Sequence, residues 1–370
     1  MSYQNGVSLV TGRSVAGCAA LLSAESACSL HPAVIPSVRC LAVIRSLQWE
    51  QLHDLAENNC MIRHGLLWLS EQQRVFNFVR TNSVARKFAS RFVAGETVEQ
   101  AVAAALELHR HGMATSLDLL GESVSREAEA AAAKDQYLSM LRLLAAGNLE
   151  VNVSVKLTQM GLDVDEAACA RNVHTIVEQA AEHDGFVRLD MESSEYTQRT
   201  IDFYFQHVPE ELHPHCGLVI QSSLRRSVDD VDSLVERHIR VRLCKGAYLE
   251  PDEVAFPDKA DVDRTYVEMM EQLLAKGNYP GIATHDERII DHARKFVEQE
   301  GIPPERYEFQ MLYGVRRDLQ RQLRAAGHRL RVYVPFGGQW YPYLMRRLAE
   351  RPANIAFMLG NIVRESVPGL

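Results

Sequence analysis

Several apolar runs in this sequence end in side chains that could take part in chemistry. These side chains are amines, guanidiniums, carboxylates, amides and an imidazole, which are groups that bind anions, transfer protons or stabilise charge. A polar group inside an apolar strand costs about 1–3 kcal/mol unless it is paired. A set of such residues therefore indicates a shared site. The set comprises Lys156, Asp190, Gln221, Arg242, Cys244, Lys245, Thr284, His285, Gln310 and Tyr333, and the apolar Leu312 ends the same run as Gln310.

The apolar runs that carry these residues alternate with segments of helical periodicity. Several runs are continuous and rich in β-branched residues, which is typical of strands buried on both faces of a parallel sheet. Eight strand–helix units across roughly 240 residues match the usual size of a (β/α)8 barrel of the TIM type. The sequence predicts strands at residues 113–119, 150–157, 186–191, 217–222, 239–244, 281–284, 307–312 and 330–334.

The rival architecture is an open, doubly wound sheet. Such a sheet needs fewer strands and usually carries a glycine-rich phosphate loop, whereas this sequence contains no GxGxxG motif. The barrel is therefore the predicted fold, and its active site is expected at the carboxyl ends of the strands. Capping signals support the helices, with Thr97 paired to Gln100 and Ser227 to Asp230.

A helix is predicted after the last strand, where a pair of arginines follows an aromatic segment. Arg346 and Arg347 could hold a carboxylate by bidentate hydrogen bonds. Tyr343 lies one turn before them, and Glu350 stands four residues after Arg346. A solvated helix face remains the alternative interpretation of this arginine pair.

Composition excludes some classes of function. A net charge of -8 argues against a nucleic-acid partner, which needs a basic surface. No apolar run is long enough to predict a membrane span, and the seven cysteines form no CxxC pair, which favours a reducing compartment. His213 and His215 flank a proline without a third ligand nearby, so no metal site is predicted.

The first 60 residues differ from the rest and are predicted to be an extension outside the catalytic unit. They are poor in acidic residues up to residue 49 and rich in serine and alanine, a composition that also fits a mitochondrial transit peptide. A secretory signal fits poorly. The predicted organisation is an extension at 1–60, helices at 61–111 and the barrel at 112–370.

The motifs, taken together, resemble the proline dehydrogenases. They occur in the family's order as SVKLTQ (154–159), LDME (189–192), RLCKGAY (242–248), ATHD (283–286), YEFQMLYG (307–314), VYVPF (332–336) and YPYLMRRLAE (341–350). Cys244 stands where the family often has valine, which is a small change. The resemblance implies a distorted barrel with FAD bound non-covalently, which oxidises L-proline to Δ1-pyrroline-5-carboxylate and passes electrons to a membrane quinone.

The resemblance also implies roles for individual residues. Lys156, Arg346 and Arg347 are expected to bind the proline carboxylate, with Asp190 and Glu350 orienting these cations. The substrate pocket is expected to be lined by Asp190, Tyr248, Leu312, Tyr333 and Tyr343. FAD is expected to contact Gln221, Arg242, Cys244, Lys245, Gly246, Ala247, Phe256, Lys259, Thr284, His285 and Gln310. The implied location is the cytoplasm with peripheral membrane contact, or else the mitochondrion.

Three other functions remain open from the residues alone. A barrel lyase could use Lys156 or Lys245 to form a Schiff base. A barrel without catalytic activity could bind an amino acid. A hydroxyproline dehydrogenase is the nearest alternative, although the bulk of Tyr333 favours an unsubstituted ring.

Overall fold

The computed structural model describes residues 89–350 of the chain, with the side chains of residues 89–345. Eight parallel strands follow one another around a closed barrel, and β8 pairs with β1 to close it. The predicted (β/α)8 fold is confirmed. The strands are β1 Ala114–Leu119, β2 Asn152–Val155, β3 Phe186–Leu189, β4 Cys216–Gln221, β5 Arg240–Cys244, β6 Gly281–Ala283, β7 Glu308–Leu312 and β8 Leu330–Phe336.

Helices connect the strands and surround the barrel. One helix precedes β1 and another follows β8, as predicted, and short 3-10 helices at Glu210–His215 and Pro304–Arg306 lead into β4 and β7. The helices are α1 Val98–Arg110, α2 Glu127–Ala146, α3 Glu166–Ala181, α4 Ser194–His207, α5 Ser227–Glu236, α6 Lys259–Lys276, α7 Glu287–Gln299, α8 Arg317–Ala325 and α9 Trp340–Glu350.

One of the two predicted helix caps is correct. Thr97 and Gln100 form a reciprocal capping box at the start of α1. The prediction for α5 is wrong, because the Ser227 hydroxyl donates to the carbonyl of Gln221 at 2.6 Å. Asp230 instead pairs with Arg226, at 2.7 Å from Nε to Oδ2. Tertiary contacts at the end of β4 thus replace the local cap.

The main core lies between the outer face of the barrel and the helices. Leu218, Leu243 and Ile282 on the strands are fully buried, as are Ile176 and Met269 on the helices. Each such side chain contributes about 1.5–3 kcal/mol through burial. A second cluster packs α9 against the rim of β1, with Trp340, Tyr343 and Leu344 near Leu120.

The amino-terminal end of the barrel interior is filled by charged side chains. Glu308 on β7 accepts from the Arg331 guanidinium on β8 at 2.7 Å and 3.0 Å, and both side chains are almost completely buried. Arg188 on β3 donates to the carbonyl groups of Leu218 and Arg240. It crosses β4 at Gly217, where an added Cβ would lie 2.7 Å from Arg188 Nη1.

Two sequence predictions fall on regions that the structure does not describe. The extension at 1–60 and the part of the helical segment before residue 89 lie outside the described residues. No helix within the described residues is long and apolar enough to cross a membrane.

The Glu308–Arg331 pair should contribute to stability in a pH-dependent way. Burial alone would raise the pKa of Glu308, but Arg331 and the hydrogen bonds around it lower this pKa to about 2. Because the unfolded value is near 4.3, the stabilisation is present above that pH and is lost as pH falls towards 2. We expect the pair to account for a loss of about 1.5 kcal/mol in the free energy of unfolding between about pH 5 and pH 3. Urea titrations at a series of pH values would measure this change in the free energy of unfolding.

The comparison is with the Glu308→Leu/Arg331→Met variant, which removes both charges of the pair. Its free energy of unfolding should depend less steeply on pH over the same range. Glu298→Gln, at an exposed position on α7, serves as the control and should leave the wild-type slope unchanged. Equal slopes in wild type and the paired variant would contradict this assignment.

Candidate active site

Arg242 and Asp190 form the centre of the site, inside the barrel towards the carboxyl ends of its strands. Arg242 Nη1 donates to Asp190 Oδ1 at 2.6 Å, and both side chains are nearly buried. The Tyr333 hydroxyl donates to the other oxygen of Asp190 at 2.8 Å. Burial and the nearby carboxylates raise the pKa of Tyr333 well above its ordinary range, so its hydroxyl keeps its proton.

Lys156 pairs with Asp118, a residue that the sequence reasoning did not select. Lys156 follows β2 directly, and its Nζ lies 3.0 Å from Asp118 Oδ1 on β1. Burial alone would lower the pKa of Lys156, but the carboxylates of Asp118 and Asp190 raise it above its ordinary value. Lys156 is therefore a cation, which suits an anionic substrate group.

The ionisation of Lys156 weakens the Schiff-base alternative. An amine acts as a nucleophile only when it is unprotonated, and enzymes that use lysine in this way lower its pKa. Lys156 shows the opposite shift. Lys245, the other candidate, lies 2.5 Å from Asp263 Oδ1 and 2.9 Å from Asp286 Oδ2, so its ammonium group is paired twice.

Lys245 belongs to a second charged group at the rim, between β5 and β6. Lys259, the first residue of α6, contacts Asp263 and lies 3.7 Å from Asp286. Its side chain is 74% exposed, whereas that of Lys245 is 26% exposed. The rim thus presents two cations close together, one held in place and one open to solvent, an arrangement suited to phosphate oxygens.

The expected flavin contacts on β4 and the β5 loop lie against each other. Gln221 Nε2 donates to the carbonyl of Glu192 at 2.8 Å. Gly246 adopts φ +109°, which requires glycine, and an added Cβ would lie 3.1 Å from Gln221 Oε1. Cys244 and Ala247 are half-buried beside it.

The expected contacts that directly follow β6, Thr284 and His285, are held by backbone groups. Thr284 is buried and its hydroxyl accepts from the amide of Asp286 at 3.1 Å. His285 Nε2 accepts from the amide of Leu312 at 2.9 Å, so the proton of a neutral ring is on Nδ1. Phe256 lies farther out, bonded through its amide to Ser223 and covered by the Arg225 guanidinium at 4.8 Å.

The expected substrate residues are only partly described. Leu312 ends β7 and Tyr248 lies in the loop after β5, both half-buried, and Tyr343 is buried in α9. The backbone of α9 extends over Arg346, Arg347 and Glu350 as predicted, but their side chains lie outside the described residues. Asp190 was expected to orient the carboxylate-binding cations. Its direct partners are Arg242 and Tyr333.

Several residues that complete the site were missed. Asp118 has the same signal as the others, since it is an acid within the apolar strand β1, and that signal could have identified it. Ser154, whose hydroxyl accepts from Arg242 Nη2 at 3.1 Å, is polar but small and gives no pattern. Glu308 was missed too; it begins β7, at the end of the barrel opposite the site, and its partner Arg331 lies on the neighbouring strand β8.

The two histidines of the loop before β4 have structural partners. His213 stacks on Tyr204 at 4.8 Å, and His215 Nδ1 contacts the carbonyl of Gly185 at 2.8 Å. Across the part of the chain that the structure describes, no group of three His, Cys, Asp or Glu side chains could hold a metal ion.

The fold is a closed (β/α)8 barrel with paired cations and carboxylates at the carboxyl ends of its strands. Barrel enzymes have their active sites at this end. The sequence matches the family model for proline dehydrogenase over residues 101–359. It is 42% identical over 307 residues to the proline dehydrogenase of Deinococcus radiodurans, covering 82% of this chain and 98% of that one. Proline dehydrogenase 1 of Bacillus subtilis strain 168 is 38% identical over 305 residues, covering 82% and 100%. The chain belongs to the proline dehydrogenase family.

Solved structures of larger proteins share the fold. Proline utilization A (PutA) from Bdellovibrio bacteriovorus, inactivated by N-propargylglycine, superposes with a TM-score of 0.71 at 24% identity, over 87% of this chain and 41% of that one. A PutA mutant from Bradyrhizobium japonicum gives a TM-score of 0.61 at 27% identity, over 74% and 32%. These likenesses agree with the barrel architecture.

Loss of the Asp118 charge should destabilise the protein strongly. The Asp118→Asn substitution leaves the buried ammonium of Lys156 without its nearest counter-charge. We expect the free energy of unfolding to fall by about 3 kcal/mol, as for other broken buried pairs. Asp163→Asn is the matched control, because the Asp163–Arg199 pair is largely exposed and should contribute less than about 1 kcal/mol. Equal losses in urea unfolding would show that the Asp118 charge is not needed to balance Lys156.

Proposed function

We propose that this protein is a proline dehydrogenase that holds FAD and oxidises L-proline to Δ1-pyrroline-5-carboxylate, the first step of proline catabolism. The observation that carries the proposal is the pairing inside the carboxyl end of the barrel. Lys156 there is a buried cation, and Arg242 is held by Asp190 a short distance away along the rim. Membership of the family supports the same reaction.

The chemistry of proline matches the residues at this rim. The substrate offers one carboxylate, one secondary amine and three ring methylenes. Lys156 supplies a charge for the carboxylate, together with Arg346 and Arg347 on α9. The side chains of Leu312, Tyr333 and Tyr343 would border the apolar ring.

The residues present fit FAD. Gly246 has φ +109°, and its Cβ position is blocked by Gln221 and Ser223. The absence of a side chain there leaves the backbone close to the rim, where the flat ring of the flavin would lie. Arg242 and Gln221 offer hydrogen-bond donors at one side of this rim. Thr284 and His285 directly follow β6. Lys245, Lys259 and the Phe256 loop would hold the phosphates and the adenosine end.

When bound, the flavin would supply the two-electron oxidation, accepting hydride from the ring carbon next to nitrogen as the C=N bond forms. The protein's own contribution is binding, orientation and charge. Lys156 would fix the carboxylate, and Arg242 would place a positive charge beside the reacting groups. The amine must lose its proton before reaction, so kcat/KM should rise with pH until the amine is neutral.

The Tyr333 ring bears on the choice of substrate. Its hydroxyl is held by Asp190 at 2.8 Å and the Arg242 guanidinium lies 5.3 Å from its centroid, which fixes the ring in place. A fixed ring at this position would obstruct a substituent on the substrate. We therefore favour proline over hydroxyproline.

We further propose that a membrane quinone accepts the electrons, with the protein in the cytoplasm and in peripheral contact with the membrane. The relatives named above are bacterial proteins, which supports the cytoplasm over the mitochondrion. The catalytic unit would comprise the helices from residue 61 and the barrel at 112–370, with 1–60 outside it.

A paired substitution tests the role of Lys156 without leaving an unpaired buried charge. The Asp118→Asn/Lys156→Met variant should raise the KM for L-proline by about 10- to 100-fold, because a hydrogen bond to a charged group contributes about 1.5–3 kcal/mol. The measurement is formation of Δ1-pyrroline-5-carboxylate with a soluble quinone analogue as acceptor. Lys134→Met, at a surface pair on α2, is the control and should leave KM unchanged.

Other outcomes would replace this proposal. An unchanged KM in the paired variant would remove Lys156 from the carboxylate site. Wild-type protein that is trapped by borohydride with a carbonyl compound would be a Schiff-base lyase. Protein that is stabilised by an amino acid without turning it over would be a binding protein.

A further inference from the structure

A chain of hydrogen bonds connects the amino-terminal end of the barrel interior to Arg242. It begins at the Glu308–Arg331 pair, passes through Gln310 and ends at the Arg242–Asp190 contact. Its members lie on β5, β7 and β8 and directly after β3, and their side chains meet inside the barrel. Of these, Glu308 and Arg331 lie at the end opposite the proposed substrate and have no role in the site described above.

Both polar atoms of the Gln310 side-chain amide form hydrogen bonds with other side chains. Its Nε2 donates to Glu308 Oε1 at 2.6 Å, and its Oε1 accepts from Arg242 Nε at 2.5 Å. Gln310 was expected to contact flavin. In the structure its polar atoms are directed along the barrel interior, to the residues before and after it in the chain of bonds.

Glu308 determines which way this amide points. A carboxylate only accepts hydrogen bonds, whereas an amide can present either its oxygen or its NH2 group. A reversed Gln310 would turn its oxygen towards the Glu308 carboxylate and its NH2 towards the Arg242 Nε–H. Both contacts would then be repulsive, so the charge of Glu308 selects the orientation that serves Arg242.

The barrel makes room for this contact on β6, which lies between β5 and β7. Gly281 pairs with Arg242 on one side and with Glu308 on the other. An added Cβ at Gly281 would lie 2.8 Å from Gln310 Cδ and closer still to its Nε2. The side chain of Gln310 therefore crosses β6 where no side chain of β6 obstructs it.

Arg242 depends on Gln310 for one of its three side-chain hydrogen bonds. Nη1 is bonded to Asp190 and Nη2 to Ser154, while Nε is bonded to Gln310. Loss of the Nε contact would let the guanidinium plane turn about its remaining bonds. Small displacements of a reacting or charge-stabilising group reduce rates strongly.

We propose that Glu308 is a positioning residue for the reaction, acting through the amide of Gln310 to fix the guanidinium of Arg242. This inference rests on the proposed function, since the importance of Arg242 comes from it. Arg331 contributes by holding the Glu308 carboxylate, assisted by the Tyr279 hydroxyl at 3.1 Å. The low pKa of Glu308 keeps it ionised across the working range, so the positioning does not switch with pH.

The test is a set of substitutions in the full-length protein. Glu308→Leu/Arg331→Met removes the orienting carboxylate together with its counter-charge, and paired removal of this kind is often tolerated by folded proteins. We expect kcat for L-proline to fall by about 10- to 100-fold, with little change in KM. A crystal structure of the variant should show the Arg242–Asp190 contact lengthened or lost.

Gln310→Glu provides a rescue that a merely structural role would not give. In the paired variant, a carboxylate at position 310 accepts from Arg242 in either orientation, so most of the lost kcat and the Arg242–Asp190 contact should return. In the wild-type background the same substitution sets two carboxylates against each other and should reduce kcat. Gln310→Glu should therefore raise kcat in the variant that lacks Glu308 and lower kcat in the protein that retains it.

Gly281→Ala keeps the proposal testable if the paired variant does not fold. It leaves Glu308 and Arg331 in place but displaces the Gln310 amide, and kcat should again fall. Arg226→Met/Asp230→Leu removes an ion pair outside the barrel and should leave kcat unchanged. Unchanged kcat in the paired variant and in Gly281→Ala, or failure of the rescue, would overturn the inference.

The crystallographic readout separates this inference from the proposed function. Wild-type protein that does not oxidise proline would remove the proposed reaction. The Arg242–Asp190 distance in the variants would still decide whether Glu308 positions Arg242. An unchanged distance in the paired variant would contradict the inference whatever the reaction is.

Discussion

Charges buried inside a closed barrel must be paired, and most of this structure follows from that requirement. Desolvating an ion is costly unless a counter-charge and hydrogen bonds replace the lost water. Three cations in the barrel interior have a carboxylate within 3.0 Å, namely Lys156, Arg242 and Arg331. A fourth, Arg188, is held by the backbone carbonyl groups of Leu218 and Arg240 instead. The ion pairs are arranged along the barrel axis. The contacts that offset the cost of burial therefore also fix Lys156 and Arg242, the cations proposed to act on substrate and cofactor.

The packing of the strands is adapted to the long polar and charged side chains inside the barrel. Gly217 on β4 and Gly281 on β6 leave space for Arg188 and Gln310 to cross, where any larger residue would collide with them. Aliphatic side chains fill the interiors of most barrels of this type. Here the apolar residues of the strands pack outward against the helices instead, and they supply the burial that stabilises the fold.

The sequence predicted the fold well because apolar runs and their spacing are local signals. All eight strands were placed within about two residues at each end, and the helix after β8 begins where Trp340 was expected to pack. Lys156 and Asp190 were recognised because each directly follows an apolar run. Their partners were harder to predict, since Asp118 is 38 residues from Lys156 and the pairing of β1 with β2 brings them together. The Ser227 cap failed for a more local reason, because the carbonyl of Gln221 at the end of β4 accepts a hydrogen bond from its hydroxyl.

If these paired charges serve the oxidation of proline by a bound flavin, the flavin itself should report the reaction. The most direct measurement is the visible absorbance of the purified, flavin-loaded protein before and after L-proline is added without oxygen. We expect the flavin bands to bleach with L-proline and to persist with hydroxyproline. A protein that cannot take up FAD, or whose flavin bands do not change with L-proline, would contradict the proposed role of the paired charges.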